Sequence, residues 1–124
     1  MTPDLFTPDR EGSPLSAMPE AGASGFFDRL KRPGLYPLRF QGDSMMDAGI
    51  FDGDVVVIAP ARRARSGTIV LALVEGSETT LRRFYCRGER ITLAPENPVL
   101  SPRHYTPDQI EIQGVLYAVL RFMA

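Results

Sequence analysis

Residues 40–59 read FQGDSMMDAGIFDGDVVVIA, and the passage changes character halfway along. The second half, Val55-Val56-Val57-Ile58-Ala59, is a β-branched run opened by Asp52-Gly53 and closed by Pro60, which predicts a buried strand. The first half sets Ser44 between small and acidic residues, and Asp52-Gly53 makes a tight turn into the strand. A serine laid out this way raises the question of a nucleophile, and of what takes its proton.

Working outward, the remaining signals are also those of strands. Residues 36–40 predict a first strand that begins at an edge, because Pro37 has no N–H to give a ladder. Residues 68–74 and 79–85 predict a hairpin across Gly76-Ser77. Residues 90–94 follow the turn Arg87-Gly88-Glu89. Residues 109–122 alternate Ile110, Ile112, Val115, Tyr117 and Val119, with Gly114 as a bulge or bend. Six or so strands with short turns and little helix predict a mostly β fold, a compact domain of partly rolled antiparallel sheets over residues 26–124. Residues 26–30 suggest a short helical turn. Residues 1–25, rich in Pro, Gly, Ser and Thr, read as a short, flexible, extended N-terminal arm.

Composition narrows the function. The 124 residues suit one domain with one core. Fourteen basic against fifteen acidic residues leave a net charge of -1, so direct sequence-specific DNA binding is not expected. The single cysteine, Cys86, cannot form an internal disulfide, which fits a reducing cytoplasm. No apolar run approaches the roughly 18 residues of a membrane span, and the acidic, Pro-rich N-terminus is no secretory signal. Neither a membrane nor a cofactor is expected.

Several site chemistries fall away on residue types alone. A metal centre is not expected, since the lone His104 lies in the Pro-rich stretch Ser101-Pro102-Arg103-His104-Tyr105, read as a loop. Asp43, Asp47, Asp52 and Asp54 lack the glycine and terminal glutamate of an EF-hand and read as turn formers. Gly42-Asp43-Ser44-Met45 is not a G-x-S-x-G elbow, because position 46 is Met46. Met45 and Met46 are expected to pack under the serine turn.

The serine block resembles the peptidase S24 family, which includes the C-terminal domain of LexA-type repressors and, more closely, the UmuD subunit of SOS mutagenesis. The matching residues are Gly42-Asp43-Ser44-Met45 with Asp47, Gly49-Ile50 and Asp52-Gly53-Asp54. Ser66-Gly67-Thr68-Ile69-Val70, Thr80-Leu81-Arg82-Arg83-Phe84, Leu93-Ala94-Pro95-Glu96-Asn97-Pro98 and Ile112-Gln113-Gly114-Val115 follow in the family's order. The resemblance implies a LexA/UmuD-like fold with Ser44 at the nucleophile position and a lysine as general base.

That lysine belongs on the second strand of the hairpin, and Arg82 occupies its place. A buried lysine loses its proton because desolvation disfavours the ammonium. A guanidinium does not: its pKa exceeds about 12, and neutralising it near pH 7 costs roughly 7 kcal/mol. The only lysine, Lys31, precedes the first strand. Ser44 then reads as a relic or a structural turn residue, with Arg82 pairing to Asp43 or Asp47, or as a nucleophile served by another base. Self-cleavage in the family falls at an Ala-Gly or Cys-Gly bond well upstream of the serine. Ala21-Gly22 is the one such dipeptide before Ser44, only 22 positions away.

The resemblance therefore implies a UmuD′-like homodimer that supports translesion synthesis by a Y-family (UmuC-like) polymerase, with a recombinase filament as a further partner. Its alternatives are an active S24 serine peptidase that cleaves its own arm, and a decoy subunit forming mixed dimers with a UmuD or LexA-like protein. The apolar run of residues 114–123 serves either the core or a dimer interface.

Overall fold

The computed structural model describes residues 32–123. The expected arm, its Ala21-Gly22 bond and the helical turn at 26–30 lie outside the described residues. Seven strands follow in chain order: β1 (Tyr36–Arg39), β2 (Val55–Pro60), β3 (Ile69–Val74), β4 (Glu78–Arg87), β5 (Arg90–Ala94), β6 (Arg103–Tyr105) and β7 (Ile110–Leu120). Single 3₁₀ turns occupy Met46–Ala48 and Pro107–Gln109. The strands form one antiparallel sheet in the order β1-β2-β7-β3-β4-β5-β6. The mostly β antiparallel fold is as the sequence predicts, as one continuous sheet.

The last strand lies in the middle of that sheet. Its first half pairs with β3 and its second half with β2, and Gly114 faces both Leu71 and Pro60. A side chain at this junction has no room: a Cβ on Gly114 would lie 2.4 Å from Ile58 Cγ2 and 2.8 Å from the carbonyl oxygen of Ala59. The register slips beside it, between Leu71 and Ala72 of β3, so the bend expected at Gly114 is the point where β7 changes partner.

Two apolar clusters pack against the sheet. One joins Phe40, Met45, Ile50, Val56, Ile58, Leu71 and Leu81; the other joins Val70, Ala72, Phe84, Ile91 and Leu93. Neighbouring residues of β3 enter different clusters because side chains alternate across a strand. Both faces of β3 are thereby covered, which explains its unbroken apolar run. Five consecutive residues of β2, from Val55 through Ala59, are likewise buried.

Residues 103–105 correct the sequence reading. They form the edge strand β6, with His104 opposite Thr92, rather than a loop. His104 Nδ1 lies 2.9 Å from Thr92 Oγ1 and accepts from Arg90 Nε at 3.4 Å. Four residues between Pro102 and Pro107 are too few for an alternation signal, and pairing with β5 supplies what propensity lacks. Among the described residues, no three His, Cys, Asp or Glu side chains cluster as metal ligands. None of the described helices is long and apolar enough to cross a membrane.

Candidate functional site

Ser44 sits in the connection between β1 and β2, and hydrogen bonds tie that connection at its base. Phe40 N–H donates to the Asp54 carbonyl, and Gly53 N–H donates to the Phe40 carbonyl, each at 2.8 Å. Gly42 adopts φ +95°, open to glycine and strained for other residues, and its N–H donates to Asp52 Oδ1 at 2.7 Å. Met45 is fully buried in the first cluster and anchors the turn from beneath. Met46 does not join it: the 3₁₀ turn starting there carries its side chain outward, 42% exposed.

The segment after β5 clamps the serine from outside its own loop. Glu96 N–H donates to the Ser44 carbonyl and Asp47 N–H to the Glu96 carbonyl, both at 2.8 Å. Buried Asn97 donates from Nδ2 to the Asp43 carbonyl at 2.8 Å and accepts the Val99 N–H at 3.1 Å. Arg83 holds this segment in place, with Nε 3.3 Å from Glu96 Oε2 and Nη1 donating to the Gly67 carbonyl at 2.7 Å. Asn97 was not singled out by its chemistry in the sequence. Its only local signal is an amide between two prolines.

A second tie was hidden altogether. Asp54, 2% exposed, accepts from Arg121 Nε and Nη2 at 2.7 Å each, across 67 positions of sequence. Its Oδ2 also accepts the Phe51 N–H at 2.8 Å. Arg121 donates further to the Gly49 carbonyl at 3.0 Å, and its guanidinium lies 4.6 Å from the centre of the Phe51 ring. The hydrogen bonds from Arg121 hold the Asp54 carboxyl below its ordinary value, outweighing the opposite effect of burial; the Phe51 N–H adds to them. The same pairing raises Arg121. The structural role expected for Asp52 and Asp54 is thus visible atom by atom.

Arg82 meets the serine directly. Its Nη1 donates to Ser44 Oγ at 3.1 Å and to the Leu81 carbonyl at 2.6 Å. The expected pairing with Asp43 or Asp47 is not what forms. Arg82 turns instead to a hydroxyl and a carbonyl, because β4 points it at the serine rather than at the exposed acids. Burial pushes Arg82 below the ordinary arginine value; Glu78 and Tyr105 work against that shift, and Arg103 adds to it. Arg82 also lines a cleft of about 580 Å³ that includes Glu78, Thr80, Leu100, Arg103 and Tyr105.

The direction of the Arg82–Ser44 hydrogen bond decides the chemistry. A serine nucleophile must give its proton to a lone pair. A guanidinium has no lone pair to offer and instead donates to the oxygen. It favours an alkoxide electrostatically but takes up no proton. The Ser44 hydroxyl thus faces a hydrogen-bond donor at 3.1 Å.

Comparison with known proteins agrees with this architecture. The family described as Peptidase S24-like matches residues 20–117, and the chain belongs to that family. The LexA repressor of Ruegeria sp. (strain TM1040) is 52% identical over 86 residues, covering 69% of this chain and 36% of the repressor. The chain therefore spans about a third of that relative's length. Ser44 and Arg82 both fall within the family match.

Proposed function

We propose that the chain is a LexA/UmuD-type regulatory domain of the DNA-damage response whose own peptidase centre is silent. One observation carries this reading: Arg82 Nη1 occupies hydrogen-bonding range of Ser44 Oγ, at 3.1 Å, as a permanent donor. The hydrogen bonds that tie the serine loop to the segment after β5 support a serine held in a fixed place. Such a domain acts by association, and the family resemblance supports a UmuD′-like homodimer serving a Y-family polymerase.

A second reading, a self-cleaving S24 peptidase, draws on the family match and on the similarity to a LexA repressor. It requires a proton acceptor other than Arg82. Intact-mass measurement after prolonged incubation at alkaline pH separates the two, with wild type beside Ser44→Ala and Arg82→Lys. Alkaline conditions favour any neutral amine. The silent reading expects wild type and Ser44→Ala to stay full length while Arg82→Lys is clipped. Clipping of wild type that Ser44→Ala abolishes overturns it.

A further inference from the structure

We infer that the outer face of the β4–β5–β6 wing binds single-stranded nucleic acid, with a base stacked on Tyr85 and phosphates on Arg87 and Arg90. The inference goes beyond the silent-peptidase reading and does not depend on it. Side chains alternate across a strand, and residues paired between strands share a face. Phe84, Ile91 and Leu93 therefore share the face that enters the second core cluster. Tyr85, Arg87, Arg90, Thr92 and His104 share the other. Four of these five are exposed and Thr92 is half-buried, so no described element covers that face.

Two features point to the ligand. Arg87 and Arg90 stand directly opposite each other at the closed end of the β4–β5 hairpin. Like charges so placed repel and weaken the pairing. Among the described residues neither forms an ion pair, and residues 85–92 hold Glu89 as their one acid. Arg90 is tied to the face by its Nε, which donates to His104 Nδ1 at 3.4 Å. A phosphate shared by the two guanidinium forks relieves the repulsion. The second feature is Tyr85, 42% exposed, with no described ring or cation stacked on it. Ser66, Tyr85, Arg87, Arg90 and Thr92 line one hollow of about 370 Å³, the size of a small-molecule site, which suits one nucleotide and not a duplex. An acidic peptide uses the arginines and leaves the ring idle. A nucleic-acid strand uses both, since every base has a π face. Exposed Arg63 and Arg65 precede Ser66, whose Oγ accepts the Cys86 N–H at 3.1 Å, so further positive charge borders the hollow. The net charge of -1 hides this surface because Asp43, Asp47, Asp52 and Asp54 gather in the serine loop instead.

The test uses full-length protein and a fluorescein-labelled oligothymidylate of about twelve nucleotides, followed by anisotropy at low salt. Unlabelled thymidylate, an abasic oligomer with the same number of phosphates and a glutamate peptide of equal charge serve as competitors. Thymidylate is expected to compete at least about fivefold better than the abasic strand, the lower end of what one stacked base contributes. Tyr85→Ala removes that advantage, and Tyr85→Phe, which keeps the ring, retains it. Arg87→Gln and Arg90→Gln each flatten the dependence of log affinity on log salt by about 0.7, the loss of one phosphate contact on a single strand. Arg39→Gln, an equal loss of charge on the far edge strand β1, changes neither quantity. Ser44→Ala binds as wild type does, which keeps this site apart from the serine centre. No binding up to about 100 μM protein, the weak end of non-specific association, overturns the inference. Equal competition by the abasic strand, or an advantage that survives in Tyr85→Ala, overturns it as well. A glutamate peptide that displaces the probe as well as thymidylate assigns the face to an acidic protein segment instead.

Discussion

Arg121 and Arg82 both bond to the loop that carries Ser44, and the protein uses them in opposite ways. Arg121 grips a buried carboxylate with two nitrogens, caps the Gly49 carbonyl and lies over Phe51. Arg82 is half-buried and, among the described residues, has no carboxylate in ion-pair range and donates to a hydroxyl and a carbonyl. Their pKa values move apart accordingly: pairing raises Arg121 and burial lowers Arg82. One arginine is structural. The other lines a cleft, and among the described residues it forms no ion pair.

The largest effect that sharpens this contrast is chemical. Replacing Arg82 by Lys supplies a base that can be neutral, and self-cleavage by the variant should exceed wild type by at least about a hundredfold, the usual reach of a positioned base. Intact mass against time at several alkaline pH values measures it, with the rate rising as the lysine deprotonates. A variant that stays uncut breaks the idea that only the base is missing.

Next come effects on stability. Asp54→Ala removes the acceptor for Arg121 and for the Phe51 N–H, and urea unfolding at neutral pH should show a loss of about 1–3 kcal/mol. The lowered pKa of Asp54 sets a pH dependence of definite sign. The stabilisation is fully present above the ordinary carboxylate pKa of about 3.9 and is lost as pH falls through the lower folded value. Urea midpoints measured downward from pH 5 should therefore fall more steeply in wild type than in Arg121→Leu, where the shift has lost its chief cause.

Smaller changes follow. Asn97→Ala leaves the Asp43 carbonyl and Val99 N–H without their partner and should cost about 1–2 kcal/mol. Amide exchange at Asp47 and Glu96 should quicken with it, since those bonds share the clamp. Smallest of all is Arg82→Met. Removing a partly buried cation without a carboxylate partner should leave stability within about 1 kcal/mol of wild type, on either side. A large loss there would place Arg82 beside Arg121 as a structural ion and erase the contrast.

The strands were legible because each carries its signal locally. Residues 55–59 are apolar throughout, and β3 and β4 are set off by glycine-containing turns. β6 was not legible, since its three residues, in a stretch of four between prolines, acquire strand geometry from pairing with β5. Met45 and Met46 look alike in sequence and part company in space, as a 3₁₀ turn sends one into the core and the other outward. Motif order pointed to Ser44 and Arg82, and the structure brings their side chains to 3.1 Å. Asn97 and Arg121 were not assigned roles, because a capping amide and a distant ion-pair partner leave no spacing to read.

By itself, then, the sequence determined the fold class and the serine turn, and it set an arginine at position 82. Those properties rest on residue identity and on local turn chemistry. Tertiary structure decided which groups surround the serine. Asp54 meets Arg121 across 67 positions, and Arg82 meets Ser44 across 38, because β7 enters the middle of the sheet and β4 lies beside β3. Contacts made by strand order are not written in any short stretch of chain, and here they separate a structural arginine from one left facing a cleft.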